Sequence, residues 1–307
     1  MSADQDMTRV AVLHGGFSAE REVSLVSGRE AATALEQAKY DVVTIDVPRD
    51  MPALTIALTD AQPDVVFNAL HGRFGEDGCI QGLLDMMALP YTNSGRMAST
   101  LAMDKAVAKK LFAVAGLPTA EDIIVTREEA ETSDPLPRPY VIKPINEGSA
   151  VGIRIVREGD NKAPLDDVGL ATDSPIMVER YIPGREITVT NLGDRALAVT
   201  EITTDRDFYD YEAKYAEGGS DHILPADLSP TVYGQVLNIS HTAHRTLGCR
   251  GITRADFRLD GDNVYLLELN TQPGLTPTSL VPEQAAYVGM SFTDLVSWMV
   301  ENAQCDA

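Results

Sequence analysis

The sequence predicts an α/β protein of more than one domain, and three observations lead to this prediction. In the first 70 residues, short apolar runs alternate with glycine-containing turns and helical stretches, as in a parallel α/β layer. Farther along the chain, polar turns join pairs of segments in which apolar and polar residues alternate, as in antiparallel hairpins. The length of 307 residues favours two or three domains over one compact core.

The first predicted domain spans residues 1–96. Apolar runs predict buried strands at residues 9–14, 41–47 and 64–69. A helix should follow the first strand and the glycines behind it, and Ser18 is the residue type that caps a helix N-terminus.

The second predicted domain spans residues 97–184. It should begin with one helix, in which Leu101, Ala108 and Phe112 fall at helical spacing and Gly116 supplies the stop signal. Strands are expected at residues 140–144 and 175–182, with the irregular, glycine-containing segment 146–152 between them.

The third predicted domain spans residues 185–307. Its expected features are a hairpin around Gly193, a helix over residues 233–247, a hairpin around residues 260–263 and a final helix capped by Ser291. Residues 204–222 form a polar, aromatic stretch too long for a plain turn. Long loops of this kind are typical of functional lids, so we expect a lid here.

Charge and cysteine content exclude several classes of function. The net charge of −21 argues against nucleic-acid and anionic-membrane partners, which need clustered Lys and Arg. Three widely separated cysteines predict neither a disulfide framework nor a zinc site. The N-terminal residues carry acidic side chains where a secretory signal would be basic, so we expect a cytoplasmic protein.

A candidate magnesium site lies in the last predicted hairpin. Strand alternation places Glu268 and Asn270 on one face, about 7 Å apart, and we expect Val264 and Leu266 on that face too. An antiparallel partner strand would put Asp256 opposite Glu268, so that three oxygen-bearing side chains converge, as Mg²⁺ prefers. The alternative is a solvated hairpin face, which the apolar surroundings of Glu268 disfavour.

The candidate anion-binding residues are lysines and a glycine-containing loop. Lys143 ends an apolar strand, and the glycine-containing segment behind it could turn backbone N–H groups toward a phosphate. Lys105 and Lys214 are each also compatible with a plain surface position. Neither the Walker A nor the G-x-G-x-x-G pattern is present, which disfavours ordinary P-loop and dinucleotide-binding sites.

His71 lies in a glycine-rich loop outside a predicted strand, where α/β proteins gather ligands. A hydrogen-bonded structural histidine is the alternative interpretation.

The chain resembles the D-alanine:D-alanine ligases of the ATP-grasp superfamily over essentially its whole length. The matching stretches, in the family's order, are HGGFSAEREVSLVSG, ALHGRFGEDGCIQGLL, LPYTNSG, MDKAVAK, IKPINEGSAVG, VERYIPGREITV, FYDYEAKY and LELNTQPGLTPTSLVP. The resemblance implies a three-domain ATP-grasp fold: an N-terminal Rossmann-like parallel sheet domain, and two α+β domains that grip ATP between them.

The resemblance also implies a reaction and its residues. The carboxylate of one D-alanine would attack the γ-phosphate of ATP and give an acyl phosphate. The amine of a second D-alanine would then attack the carbonyl carbon, and phosphate would leave through a tetrahedral intermediate. Glu20 would hold the first ammonium, with Ser149 and Tyr215 in a hydrogen-bond network that closes the lid. Further motif matches are Arg254 and the Gly274 N–H for the oxyanion hole, and Ser279 and Leu280 for the second carboxylate.

For ATP, the resemblance implies phosphate, base, ribose and metal ligands. These are Lys105, Lys143 and Lys214 for phosphates, Glu179, Arg180 and Ile182 for adenine, Glu186 for ribose, and Asp256, Glu268 and Asn270 for two magnesium or manganese ions. A homodimer is also implied. Phe17, Ala150 and Gln272 depart from the family pattern.

Two alternative functions stay open at this point. One is a ligase that joins D-alanine to D-lactate, which Tyr215 disfavours because ester-forming relatives carry phenylalanine there. The other is a nucleotide-binding regulatory module that has lost catalysis, which the intact metal and oxyanion residues disfavour.

Overall fold

The computed structural model describes residues 7–148, 152–161, 165, 171–204 and 219–306. Three predicted site residues, Ser149, Lys214 and Tyr215, lie outside the described residues. Most of the predicted lid over residues 204–222 lies outside them as well.

The N-terminal unit contains a parallel sheet of three strands, as predicted. The strands are β1 (Arg9–His14), β2 (Asp41–Asp46) and β3 (Val65–Asn68), in the order β2-β1-β3. Helices α1 (Arg21–Gln37), α2 (Met51–Ala61) and α3 (Cys79–Met86) accompany the sheet. β1 is the central strand, which explains its continuous apolar sequence.

The predicted cap of α1 is wrong, because Glu20 rather than Ser18 occupies the N-cap position. The Ser18 hydroxyl instead accepts a hydrogen bond from the Glu20 N–H at 3.2 Å and donates one to the His71 carbonyl at 2.7 Å. Ser18 therefore ties the loop after β1 to the loop after β3.

The single helix predicted near residue 97 is two helices, α4 (Arg96–Met103) and α5 (Lys105–Val114). The break falls at Asp104, whose backbone is extended and whose carboxylate accepts a hydrogen bond from the Val107 N–H at 2.9 Å. A short acidic side chain favours such a cap over the interior of a helix. The break makes Lys105 the first residue of α5.

The middle of the chain forms an antiparallel sheet in the order β4-β7-β5-β6. Its strands are β4 (Asp122–Thr126), β5 (Tyr140–Pro144), β6 (Arg154–Val156) and β7 (Pro175–Arg180), and the short helix α6 (Arg127–Thr132) follows β4. The predicted strands at residues 140–144 and 175–182 are thus confirmed within two residues.

The C-terminal part forms a second antiparallel sheet in the order β10-β9-β8-β11-β12. Its strands are β8 (Arg185–Leu192), β9 (Arg195–Thr203), β10 (Asp221–Ile223), β11 (Ile252–Asp260) and β12 (Asn263–Asn270). Helices α7 (Pro230–Thr246), α8 (Leu280–Tyr287) and α9 (Phe292–Glu301) complete this part. Both predicted hairpins are present.

A β-bulge in the last hairpin decides which side chains face the cleft. The register pairs Asp256 with Glu268, as predicted, but then pairs Phe257 with Leu266, which leaves Leu267 extra. One extra residue reverses the alternation of faces. Val264 and Leu266 therefore lie in the buried core instead of sharing a face with Glu268, contrary to the prediction.

The hydrophobic cores do not follow the predicted domain boundaries at every point. Phe112 of α5 packs in one core with Phe257 of β11, so this helix supports the five-stranded sheet. Val296 of α9 packs with Val12 of β1, so the last helix covers the N-terminal sheet. The boundaries at 96 and 184 stay predictions. None of the described helices has the length and apolarity that a bilayer crossing requires.

His244 of α7 gives a testable pH dependence of stability. Burial lowers the pKa of His244 to about 4, from an ordinary value of 6.5. The unfolded chain therefore binds the proton more tightly, and stability present above pH 6.5 is lost as the pH falls toward 4. Between pH 7 and pH 5 we expect the free energy of unfolding to drop by about 2 kcal/mol more in the parent than in His244→Gln.

Urea unfolding of both proteins at the two pH values measures this difference. His222, whose ring pairs with Glu283 at 2.9 Å and is partly exposed, supplies the control substitution His222→Gln. Equal pH slopes for the parent and His244→Gln would contradict the prediction.

Candidate active site

Two adjoining cavities lie between the sheets and together hold most of the predicted site residues that the structure describes. The first, of about 120 Å³, lies between the four-stranded and five-stranded sheets. The second, of about 50 Å³, lies between the five-stranded sheet and the N-terminal unit. Lys105, Glu147 and Glu268 line both cavities, so these residues mark the point where the two meet.

One wall of the two cavities is the face of β8, β11 and β12 that lies opposite α5 and α7. Arg254 donates two hydrogen bonds to Asp256, at 2.8 and 2.7 Å. The Thr188 hydroxyl of β8 donates a third to Asp256 at 2.7 Å. Arg254 and Asp256 were predicted to act on different groups, yet in this structure they form one bidentate pair.

The predicted metal ligands form a hard, oxygen-donating set. Asp256 and Glu268 lie opposite each other in register, and Asn270 lies opposite Arg254. The Asn270 side-chain oxygen also accepts a hydrogen bond from the Gln272 N–H at 2.8 Å. Two carboxylates and an amide oxygen beside a lysine-lined cavity fit magnesium or manganese bound with phosphate. Because Asp256 also pairs with Arg254, its carboxylate oxygens would be shared between the metal ion and the guanidinium group.

Three ionisable side chains of the N-terminal unit reach the second cavity. Glu20 is buried at the start of α1, and His71 and Glu76 are buried in the loop after β3. Burial lowers the pKa of His71 to about 4, so its imidazole is neutral at pH 7. Burial, with the nearby Glu20 carboxylate, raises the pKa of Glu76 well above its ordinary range.

Gly148 brings the loop after β5 against these carboxylates. A Cβ atom on Gly148 would lie 3.1 Å from an oxygen of Glu20 and 3.1 Å from an oxygen of Glu76. The absence of a side chain therefore lets this backbone approach the floor of the second cavity closely.

Two of the predicted phosphate lysines are buried and held in place. Lys105 donates a hydrogen bond to the Glu147 carbonyl at 2.6 Å and lies 3.5 Å from Glu268. Lys143 donates to Glu179 at 2.6 Å. Lys109 contacts the second oxygen of Glu179 and also pairs with Asp122 at 2.8 Å.

Glu179 is thus enclosed by two ammonium groups. Burial would raise the pKa of Glu179, but Lys143 and Lys109 hold it below its ordinary value. Its side chain is committed to this ion network, so its carboxylate has little freedom to bind adenine directly.

The other predicted nucleotide-binding residues line the first cavity. Arg180, Ile182 and Glu186 follow the edge of the cavity from β7 to β8. Arg258 donates to the Ile182 carbonyl at 3.1 Å and to Glu186 at 3.3 Å. This arginine, to which the sequence assigned no role, holds the backbone at Ile182, a predicted adenine contact, and the side chain of Glu186, the predicted ribose ligand.

The predicted oxyanion and second-substrate residues meet at the start of α8. A Cβ atom on Gly274 would lie 3.0 Å from the Ser279 hydroxyl oxygen. Ser279 is the N-cap of α8, and the Leu280 side chain is buried. Leu280 can therefore offer a ligand only its backbone N–H, at the positive end of the helix.

Gln284 anchors α8 on the sheet. Its side chain accepts a hydrogen bond from the Thr190 N–H at 2.8 Å and donates to the Thr200 hydroxyl at 3.0 Å. Thr190 lies where the pairing of β8 and β9 shifts register, so Gln284 satisfies an N–H that the ladder leaves unpaired.

Two of the departures from the family pattern have structural explanations. Gln272 is buried and binds the N-terminal unit, because it donates to the Asn68 carbonyl and accepts from the Asn93 amide at 2.8 Å. Phe17 contacts the Phe74 ring at a centroid distance of 5.1 Å and does not line the second cavity. Ala150 lies outside the described residues.

Sequence reasoning missed several residues that the structure brings into the site, namely Lys109, Glu147, Thr188 and Arg258, and it left Glu76 without a role. Glu76 stood in the glycine-rich loop around His71, and the adjacency of an acidic residue to a candidate histidine was the available signal. Lys109 carried no such signal, because its partner Glu179 is 70 residues away along the chain.

Comparison with known proteins agrees with the geometry. The family model described as the D-ala D-ala ligase N-terminus matches residues 9–55 and 53–94, and the model of the D-ala D-ala ligase C-terminus matches residues 111–301. The D-alanine–D-alanine ligase of Rhodospirillum rubrum is 57% identical, over 97% of this chain and 99% of that protein. The D-alanine–D-alanine ligase of Acidiphilium cryptum is 60% identical, over 97% of this chain and 99% of that protein.

Solved structures show the same similarity. The crystal structure of D-alanine–D-alanine ligase from Bacillus anthracis superposes with a TM-score of 0.83 at 31% identity, covering 96% of this chain and 97% of that one. The same enzyme complexed with ATP gives a TM-score of 0.81 at 28% identity, with the same coverage. The predicted α/β, ATP-grasp fold is therefore confirmed, and the chain belongs to the D-alanine–D-alanine ligase family.

Proposed function

We propose that this protein uses ATP to join two D-alanines into D-alanyl-D-alanine, with release of ADP and phosphate, for peptidoglycan precursor synthesis. The observation that carries the proposal is the meeting of the two cavities at Lys105 and Glu268. A nucleotide in the first cavity would present its terminal phosphate at this point to a carboxylate held in the second.

The first D-alanine would bind against the N-terminal unit. Glu20 would accept hydrogen bonds from its ammonium group, and neutral His71 would border its carboxylate without adding charge. The carboxylate could then attack the γ-phosphate from a fixed position, which is the main contribution that a protein makes to phosphoryl transfer.

ATP would lie along the first cavity. The hinge backbone at Arg180 and Ile182 would face adenine, and Glu186 would bind ribose. Lys105 and Lys143 would bind phosphate oxygens, together with Lys214. Because the chain carries a net charge of −21, these lysines would offset an unfavourable overall field.

Magnesium or manganese would be held by Asp256, Glu268 and Asn270, with two ions as the family resemblance implies. When bound, such ions neutralise charge on the phosphates. The protein's own contribution is the rigid hairpin, whose register holds Asp256 and Glu268 opposite each other.

The second step would use donors around the start of α8. Arg254 and the Gly274 N–H would stabilise the oxyanion of the tetrahedral intermediate, and Ser279 with the Leu280 N–H would bind the second carboxylate. The loop over residues 204–222, with Tyr215 and Ser149 bonded to Glu20, would close over the acyl phosphate and keep water away.

Product identification tests the proposal. Purified protein with ATP, magnesium and D-alanine should release phosphate and D-alanyl-D-alanine in equal amounts, as measured by mass spectrometry and a phosphate assay. Equimolar D-alanine and D-lactate should still give mainly the dipeptide. Product formed only with D-lactate would identify the ester-forming ligase, and ATP binding without turnover would identify a silent regulatory module.

Family membership also supports a homodimer and a cytoplasmic location, and both stay predictions.

A further inference from the structure

A third cavity, of about 200 Å³, lies in the N-terminal unit on the other side of His71 from the second cavity. Its apolar walls come from the end of β2, the start of α2, the loop after β3 and α3. The side chains that form these walls are Val47, Met51, Leu70, Ile80 and Leu83. No step of the ligase reaction proposed above uses any of these residues.

Two aromatic rings and two arginines line this cavity as well. Phe17 and Phe74 contact each other with a centroid distance of 5.1 Å and an interplanar angle of 42°. The Arg49 guanidinium lies 4.8 Å from the centre of the Phe17 ring, and the Arg73 guanidinium lies 5.3 Å from the centre of the Phe74 ring. The four side chains thus form a continuous row in which each ring carries one cation.

The charges in this row are unusual for such an acidic chain. Aspartate and glutamate number 46, against 25 lysines and arginines. Yet within the part of the chain that the structure describes, neither Arg49 nor Arg73 forms an ion pair. A guanidinium stacked on a ring keeps its N–H edge available, and that edge matches a carboxylate.

Phe74 is held in an uncommon conformation that points to more than packing. Its φ angle is +69°, in the left-handed region, and its side chain is 43% exposed. The Asp77 carboxylate accepts a hydrogen bond from the Phe74 N–H at 2.9 Å and thereby fixes the turn. A large, exposed ring kept in a strained position is a feature of ligand sites more often than of inert surface.

We propose that this cavity binds a small aromatic carboxylic acid. An apolar cavity of about 150 Å³ is enough for a benzene ring, so this one has room for a ring with a carboxylate at the arginines. The ring would pack against Phe17 and Phe74, and Arg49 and Arg73 would bind the carboxylate.

The site is connected to the proposed first-substrate site by short hydrogen bonds. Phe17 precedes Ser18, whose hydroxyl donates to the His71 carbonyl at 2.7 Å and accepts from the Glu20 N–H at 3.2 Å. A ligand that shifts Phe17 therefore acts on Glu20 and His71. On the proposed ligase function, occupancy would change the KM for the first D-alanine.

Calorimetric titration with benzoate tests the site. Benzoate should bind, while benzamide, which lacks the charge, and acetate, which lacks the ring, should bind at least tenfold more weakly. Arg49→Gln with Arg73→Gln should weaken benzoate binding at least tenfold, and Phe17→Leu should also weaken it. Arg195→Gln, at an exposed hairpin arginine, is the matched control and should bind normally.

Arg254→Ala separates this cavity from the proposed catalytic cleft, because it should leave benzoate binding unchanged. The proposal is overturned if acetate or benzamide binds as well as benzoate, if the double arginine variant binds benzoate normally, or if Arg254→Ala abolishes binding. The coupling is checked by steady-state kinetics: benzoate should change the KM for the first D-alanine in the parent but not in the double variant. An equal effect in both would overturn the coupling.

Discussion

Replacement of Arg254 by alanine should lower kcat by about 10² to 10³-fold, while the affinity for ATP stays close to that of the parent. Arg254 lines the second cavity and not the first, so in the proposed mechanism its loss would remove a donor to the developing oxyanion without removing a nucleotide contact. Its pairing with Asp256 adds to the effect, because that carboxylate loses two of its three hydrogen bonds. Turnover by phosphate release and ATP binding by calorimetry measure the two quantities separately.

Arg258→Ala is the matched control, since Arg258 lies four residues along the same strand on the same face. It lines the first cavity and supports Ile182 and Glu186, so its loss should raise the KM for ATP more than it lowers kcat. If Arg254→Ala keeps nearly normal turnover, or if both variants change the same parameter, Arg254 has no oxyanion role.

Replacement of Lys109 by methionine should destabilise the protein by about 3–5 kcal/mol. The Lys109 side chain is 3% exposed, and its ammonium group contacts Glu179, Asp122 and the Ala120 carbonyl. Methionine keeps the packing volume but leaves the buried Glu179, among the residues that the structure describes, with Lys143 as its cationic partner. The midpoint and slope of urea unfolding give the change in the free energy of unfolding.

Lys110→Met is the control on the same helix, because Lys110 is exposed and should change stability by no more than about 0.5 kcal/mol. Adding Glu179→Gln to Lys109→Met should lower stability by less than the sum of the two single substitutions, since residues in one ion network do not act additively. Equal stability of the Lys109 and Lys110 variants would show that the ion network contributes little.

The sequence was sufficient where one local pattern determines the structure. Alternation predicted the last hairpin and predicted that Asp256 lies opposite Glu268, as found, although it is the bulge after a two-residue turn that produces this pairing. The same alternation failed for Val264 and Leu266, because the bulge at Leu267 reverses the faces and has no signature in the apolar pattern. Asp104 did carry a signal, since it is a favoured N-cap residue, but the surrounding helical periodicity concealed the break.

Contacts between distant segments could not be predicted from the sequence, and the reason is physical. Lys109 and Glu179 meet only because α5 lies beside β7, and no local property of either segment specifies that placement. Likewise, Arg254 was expected to act on substrate and Asp256 on metal. Their mutual pairing follows from two neighbouring side chains on one face of a strand, where opposite charges attract before any ligand is bound.

The most direct test of the proposed reaction is the fate of a carboxylate oxygen. When the first D-alanine attacks the γ-phosphate, one of its carboxylate oxygens forms the new bond to phosphorus and leaves with phosphate when the amine attacks the carbonyl carbon. With D-alanine labelled with ¹⁸O in its carboxylate, mass spectrometry should therefore find one ¹⁸O atom in each phosphate and one fewer in the dipeptide than in the two D-alanines. Phosphate without the label, formed together with D-alanyl-D-alanine, would contradict the acyl phosphate and with it the placement of substrate and nucleotide at Lys105 and Glu268.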